Sequence, residues 1–132
     1  MAGYSPKSLA DKLGIKPGMA LYAIAAPKDY RALLGIDAEF VHRPPKGGAD
    51  FVHLFVTSLA ELDKHLPTAR KAMKPDGMLW VSWYKKAAKI PTDVTEDVIR
   101  ARALKTDLVD VKVCAVSDVW SGLKLMVRRH LR

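Results

Sequence analysis

The sequence predicts an α/β domain built on a mostly parallel sheet of about six strands, closed by an antiparallel hairpin. Three observations lead there. The apolar runs Met19 to Ala26, Phe51 to Val56 and Met78 to Trp83 suit strands covered on both faces. Helical patterns separate them, and a buried strand followed by a helix returns most readily to a parallel neighbour. Two segments of alternating character, Val109 to Ala115 and Leu123 to Val127, then read as a terminal hairpin.

Ser5 before Pro6 signals the first helix, since proline suits the first helical position and serine accepts an orphan amide. Leu9 and Leu13 share a face, Gly14 suits the left-handed residue after the helix, and Lys16-Pro17-Gly18 turns into the first strand. Pro27 to Leu34 reads as a short helix ended by Gly35. Glu39 to His42 reads as a short strand before the loop Pro44-Pro45-Lys46-Gly47-Gly48. Asp50 opens the next strand, and Ser58-Leu59-Ala60-Glu61 is a capping box. The helix it starts carries a stripe of Leu59, Leu62, Leu66, Ala69 and Met73, and Pro67 is expected to kink or divide it. Pro75-Asp76-Gly77 reads as a tight turn into the third strand. Asp93 or Thr95 is placed to cap a fourth helix, with Glu96 and Asp97 in its first turn and Arg100, Arg102 and Lys105 toward its end. In the hairpin, Val109, Val111, Val113 and Ala115 are expected to face one way, as are Leu123, Leu125 and Val127 after the turn from Asp118 to Gly122.

The chain has 132 residues, 49% of them apolar, which suits one domain over residues 1–132 with residues 1–18 leading into the first strand. A domain of this size hides roughly two-thirds of its unfolded surface, so it needs neither disulfide nor structural metal to build a core. The single cysteine, Cys114, cannot pair within the chain. It reads as a small buried hydrophobe among valines. The longest uncharged stretch, Pro17 to Pro27, is about half of what a spanning helix requires. No secretory signal is seen at the N-terminus, and a cytoplasmic location is expected. Lys plus Arg number 22 against 14 Asp plus Glu, a net charge of +8. That excess favours an anionic partner without identifying one. The basic residues lie in short clusters with no recognised nucleic-acid motif, so non-specific nucleic-acid binding ranks last among the readings of function.

Four stretches resemble the Rossmann-like, three-layer fold of S-adenosylmethionine-dependent methyltransferases. They are Met19 to Ala26; Asp50-Phe51-Val52-His53-Leu54-Phe55-Val56; Lys74-Pro75-Asp76-Gly77-Met78-Leu79-Trp80-Val81; and the hairpin ending in Leu125-Met126-Val127-Arg128-Arg129. More closely, the chain resembles a bacterial family of unknown function and similar length. That likeness runs through Tyr4-Ser5, Leu13 to Gly18, Lys85-Lys86, Thr92 to Glu96, Leu108 to Val116 and Trp120 to Lys124. The resemblance implies a fold and no particular activity. Methyltransferases hold their cofactor over a glycine-rich turn after the first strand, where the lack of side chains lets amides approach the ligand. Here that turn reads Ala25-Ala26-Pro27-Lys28-Asp29, with no glycine between Gly18 and Gly35. An acidic residue normally ends the second strand and accepts the ribose hydroxyls. His42-Arg43 stand there instead, and one strand–helix unit is missing. The absent glycines disfavour S-adenosylmethionine, and no other cofactor is expected.

Ligands of open α/β sheets lie beyond the carboxyl ends of the strands. On that edge the candidate binding residues are Lys85 and Lys86 as point charges for phosphate or carboxylate, and Asp93, Thr95 and Glu96 as partners or helix caps. Trp120 is a candidate stacking wall or core lid, and Lys124 a cation that faces outward or meets Asp110 across the hairpin. No catalytic residue and no metal ligand is assigned. His53, inside an apolar strand, reads as a hydrogen-bonded core histidine, and His42, His65 and His130 lack metal-ligand spacing. The leading reading is a non-catalytic module for an acidic small molecule or protein segment. The alternatives are a divergent methyltransferase and, last, the nucleic-acid binder.

Overall fold

The computed structural model describes residues 8–36 and 39–132. In chain order the elements are α1 (Leu9–Leu13), β1 (Leu21–Ile24), α2 (Tyr30–Leu34), β2 (Ala49–Phe55), α3 (Leu59–Ala72), β3 (Met73–Tyr84), α4 (Glu96–Leu104), β4 (Leu108–Ala115) and β5 (Trp120–Val127). Single 3₁₀ turns follow β3 at Lys86–Ala88 and β5 at Arg129–Leu131. The sheet order is β1-β2-β3-β5-β4. The first three strands pair in parallel, and β5 runs antiparallel between β3 and β4.

The sheet therefore has five strands. The expected strand over Glu39 to His42 shrinks to one parallel bridge, Tyr22 to Val41, outside β1. Its amide and carbonyl bond Leu21 and Ala23, but Pro44 and Pro45 follow closely and have no N–H to extend a ladder. The bridge still fixes topology. The chain leaves β1, crosses over α2 to one side of it, then returns to the other side as β2.

Side chains alternate across this sheet. On one face Val52, Leu54, Leu79, Val81, Leu123, Leu125 and Val127 are fully buried with Leu62 and Ala69 of α3 and Ile99 and Ala103 of α4. Each large aliphatic buried there contributes about 1.5–3 kcal/mol. On the other face Phe51, Phe55, Trp80 and Trp120 pack with Leu13 of α1 and Tyr30 and Leu34 of α2. The Trp80 indole donates to the Leu13 carbonyl at 2.9 Å, which ties α1 to the middle of the sheet.

Several elements differ from the sequence expectation. Ser5 and Pro6 lie outside the described residues, and α1 is capped by Ser8, whose Oγ accepts from the Asp11 amide. Helix α3 runs unbroken through Pro67. Asp63 and Pro67 are both exposed, so water can reach the carbonyl that Pro67 leaves without an amide. Pro75-Asp76-Gly77 is no turn between elements but an excursion within β3. Ala49 pairs with Met73 and Phe51 with Met78, so the chain bulges between two paired segments. Gly77 is required there, since a Cβ would lie 2.9 Å from the Ala49 carbonyl oxygen. The Asp50 carboxylate staples the same corner. It accepts from the Ala20 amide at 2.7 Å and from Lys74 Nζ at 2.9 Å, which together hold its pKa below the ordinary value.

The hairpin departs most. Asp110 pairs with Leu125 and Lys112 with Lys124, leaving Val111 as an extra residue on β4. Before this bulge Leu108 and Asp110 share the face of Val127 and Leu125, and after it Val113 shares the face of Leu123. Leu108 is buried, whereas Val111, Val113 and Ala115 are exposed on the edge strand. Bulged edge strands resist pairing with other chains. Cys114 is half-buried, not enclosed. Gly122 lies inside β5 and not in the turn, where a Cβ would meet Trp80 and Val116 at 3.1 Å. Among the described residues no helix is long and apolar enough to cross a membrane.

Candidate functional site

The carboxyl ends of β1, β2 and β3 bring together Ala25 to Asp29, Val56 to Ser58 and Tyr84 to Lys86, with the start of β5 beside β3 through the Tyr84–Trp120 pair. Beyond β3 lies a cleft of about 660 Å³ lined by Trp83 to Lys86, Ile90 to Thr92 and Val94 to Asp97. Four of the seven sequence candidates, Lys85, Lys86, Thr95 and Glu96, line it. Its position follows from β3 ending at Tyr84, while the start of α4 closes the opposite wall.

Thr95 caps α4, accepting from the Val98 amide. Asp93 caps a different helix. Its Oδ1 accepts from the Leu59 amide at 2.8 Å, so it joins the α4 approach to the first residue of α3. Thr92 completes that joint by donating to the Thr57 carbonyl. The Ser58 box is also asymmetric: Ser58 Oγ accepts from the Glu61 amide, but Glu61 reaches past it to the Thr57 amide and hydroxyl, both at 2.7 Å. These bonds lower the Glu61 pKa.

Glu96 is committed as well. Arg100 binds Glu96 at 2.5 Å, Asp97 at 3.1 Å and Asp110 at 2.9 Å. Glu96 and Asp110 raise the guanidinium pKa above its ordinary value. A carboxylate in this hub is a poor free acid or base. No ion pair to Lys85 or Lys86 occurs among the described residues, whereas Asp97, at the rim, is 94% exposed and touches Arg100 at 3.1 Å. The Lys85 backbone N–H donates to the Val119 carbonyl at 2.9 Å, and Lys86 is exposed.

Trp120 lies beneath this edge as a lid on the core. It is buried, stacks on Tyr84 with ring centroids 4.5 Å apart, and meets Phe55 edge-on at 5.0 Å. Lys124 is far from the cleft, on the α1 face of the sheet, opposite Trp80 and Lys112. Asp110 has gone to Arg100, so Lys124 meets a like charge, and burial together with Lys112 lowers its pKa. Cross-strand like charges destabilise such a pair.

His53 is fully buried, as its apolar strand implied. With Nε2 carrying the proton, Tyr30 Oη donates to Nδ1 at 2.7 Å and Nε2–H donates to Ser82 Oγ at 2.6 Å. Burial pushes the His53 pKa down to about 3 and raises that of Tyr30, so imidazole and phenol stay neutral. The Tyr30 partner carried no sequence signal. Ser82, the one hydroxyl within Val81-Ser82-Trp83, did. Among the described residues no group of three or more His, Cys, Asp or Glu side chains is placed to hold a metal ion.

The turn after β1 shows a feature that sequence reading missed: Ala25 has φ 58°. The left-handed region costs a non-glycine residue roughly 1 kcal/mol, so the turn keeps a glycine-like path without the glycine. Behind it lies a cavity of about 270 Å³ lined by Ala23, Ala26, Pro27, Lys28, Tyr30, Arg31, Phe40 and His42. This is below the roughly 300–1,000 Å³ of ordinary ligand pockets. Pro27 offers no amide, and among the described residues no carboxylate lines the cavity to accept ribose hydroxyls. The backbone path suits S-adenosylmethionine, but these side chains do not fit it.

No family model and no curated protein sequence matches the chain. Solved structures do. A ribosomal protein L11 methylase from Lactobacillus delbrueckii subsp. bulgaricus aligns at TM-score 0.57 and 11% identity, covering 92% of this chain and 75% of that one. The B. subtilis M1A22 tRNA methyltransferase TrmK aligns at 0.57 and 12%, covering 95% and 67%. A DhpI–SAH complex aligns at 0.54 and 11%, covering 83% and 77%. Likeness at this identity establishes architecture, and the chain has a reduced, methyltransferase-type, Rossmann-like α/β fold.

Proposed function

We propose that this chain is a divergent methyltransferase-type protein that binds an anionic small molecule at the carboxyl edge of its sheet, in the cleft between the end of β3 and the start of α4. One observation carries this reading. Lys85 and Lys86 line a cleft of about 660 Å³ without an ion-pair partner among the described residues, while Glu96, its half-buried carboxylate, is bound by Arg100. Phosphate and carboxylate groups satisfy lysine ammoniums at such a rim, and the apolar wall of Trp83, Ile90 and Pro91 suits the rest of a ligand. The likeness to the bacterial family of unknown function fits the same frame, since its matching stretches include Lys85-Lys86 and Thr92 to Glu96. The test is a thermal-melt and calorimetric screen against nucleotides, sugar phosphates and dicarboxylates, with the Lys85→Ala/Lys86→Ala variant alongside. A ligand at 100 times its dissociation constant adds about 2.7 kcal/mol, a shift of several degrees. The double variant is expected to melt like the parent and to lose that shift. Retained binding overturns the reading, and an inert screen turns the search to an acidic protein segment.

S-adenosylmethionine-dependent methyl transfer is the second reading. The structural likeness to methyltransferases favours it over a non-catalytic module, as does the left-handed path of Ala25 at the turn where such enzymes hold their cofactor. The basic lining of that turn speaks against it. Titration with S-adenosylmethionine and its demethylated product decides: saturable micromolar binding supports methyl transfer, and a flat titration at millimolar cofactor removes it.

A further inference from the structure

We infer that the cavity behind the β1–α2 turn is a second, separate site that takes a single small oxyanion, the phosphate or carboxylate group of a compact ligand, with Lys28 and Arg31 as its cationic groups and His42 as a hydrogen-bonding partner. Topology selects the place. The chain leaves β1 for the Val41 bridge on one side and comes back as β2 on the other, so strand order reverses at β1. In open α/β sheets the crevice outside such a reversal is where ligands bind. This cavity lies there, walled by Ala26 to Lys28 after β1 and by His42 just after the bridge.

Its chemistry selects the ligand. Lys28 and Arg31 come from the turn and the start of α2 and His42 from the bridge segment, so two pieces of chain bring basic side chains to the lining of one small space. No carboxylate lines it among the described residues. The remaining polar group, the Tyr30 hydroxyl, is already used by His53 at 2.7 Å. An oxyanion between Lys28 and Arg31 is attracted to both charges. Arg31 presents a planar fork matched to a carboxylate or phosphate, and Lys28 adds a point charge. At about 270 Å³ the cavity has room for an oxyanion with a short carbon chain and is small for a nucleotide. It also lies on the α1–α2 side of the sheet, because Ala23 and Tyr30 pack there, whereas Trp83 of the β3–α4 cleft packs with α3 and α4. The two sites are therefore separable by mutation.

The experiment is a ¹H–¹⁵N NMR titration of the whole chain with inorganic phosphate and, in parallel, with malonate. The expected result is saturable shifts centred on Ala26, Lys28 and Arg31, with Arg31→Gln weakening the affinity about tenfold or more and Lys85→Ala/Lys86→Ala leaving it unchanged. Phosphate saturating before malonate assigns a phosphorylated ligand, and the reverse a carboxylate. His42→Gln, on a different segment, reads the same cavity should Arg31→Gln perturb the spectrum globally. Linear, unsaturated shifts with both anions overturn the inference, as does affinity untouched by both Arg31→Gln and His42→Gln. Loss only in the Lys85/Lys86 variant places the anion in the β3–α4 cleft and also overturns it.

Discussion

The two faces of the sheet solve the burial problem in different ways. Toward α3 and α4 the interior is almost wholly aliphatic, with Leu54, Leu79, Val81, Leu123, Leu125 and Val127 fully excluded from water. Toward α1 and α2 it is aromatic and carries the only buried polar residues among those described, His53 and Ser82. There Phe55 stacks on His53 at 4.2 Å, Tyr30 meets both edge-on, and the Tyr30–His53–Ser82 string runs from α2 through β2 to β3. An aliphatic face needs shape and volume, whereas a face with buried polar groups needs every partner in place. The polar face is also the one whose helix follows the β1 turn. Helix α2 has only five residues and is too short to be stable alone, so its hold on the sheet through Tyr30 positions that turn.

Substitutions on the two faces sharpen this contrast. The largest loss is expected from Trp80→Ala, about 3–5 kcal/mol, because it empties the centre of the aromatic face and leaves the Leu13 carbonyl unpaired. Leu54→Ala on the aliphatic face should cost about 2–5 kcal/mol. Urea unfolding of both variants measures these values, and α1 should loosen in the Trp80 variant alone, as read by hydrogen exchange. Tyr30→Phe removes one oxygen and should cost about 1–3 kcal/mol, since it strands a buried imidazole nitrogen. A near-neutral Tyr30→Phe would mean that the polar string does not hold α2.

Acid separates the faces without mutation. His53 has a folded pKa of about 3 against 6.5 when unfolded. The unfolded state thus binds the proton first, and stability is full above pH 6.5 and falls as pH drops toward 3. The slope approaches about 1.4 kcal/mol per unit below the unfolded pKa. Asp50, Glu61 and Asp107 have lowered pKa values, so their contributions are present above the ordinary carboxylate range and fade as pH falls through it. Between pH 6.5 and 5 the loss should therefore track His53. His53→Gln should flatten the melting temperature across that window while lowering it overall.

The smaller effects lie at the surface. Ala25→Gly should raise stability by up to about 1 kcal/mol by relieving the left-handed φ, reduced by the extra freedom glycine gives the unfolded chain. Arg70 holds Asp107 through two bonds of 2.8 and 2.7 Å, yet both side chains are partly exposed, and Arg70→Ala should cost about 0.5–1 kcal/mol.

The aliphatic face was the legible one. Periodicity gave β2, β3, α3 and the buried set of β5, because apolar spacing is a local property that burial rewards directly. The alternation failed at β4 because one bulged residue, Val111, breaks its period, so that Leu108 and Asp110, and not Val109, share a face with Val113, and a bulge leaves no mark on composition. Asp93 could not be assigned from spacing. Its partner is the amide of Leu59, on a helix 34 residues earlier, and sequence sees only the nearer helix. The same limit hid the Arg100 hub and the convergence of Lys28, Arg31 and His42, each a product of tertiary contact. Lys85, Lys86, Thr95 and Glu96 line one cleft, as the carboxyl-end rule for open sheets suggested, because that rule depends on topology, which the strand order already implied.

Isothermal titration of the whole chain with the strongest anion from the ligand screen, repeated on Lys85→Ala/Lys86→Ala, tests the central claim most directly. The account predicts one-to-one binding at the β3–α4 cleft that the double variant weakens by about tenfold or more while its melting temperature holds. Equal affinity in parent and double variant would contradict it.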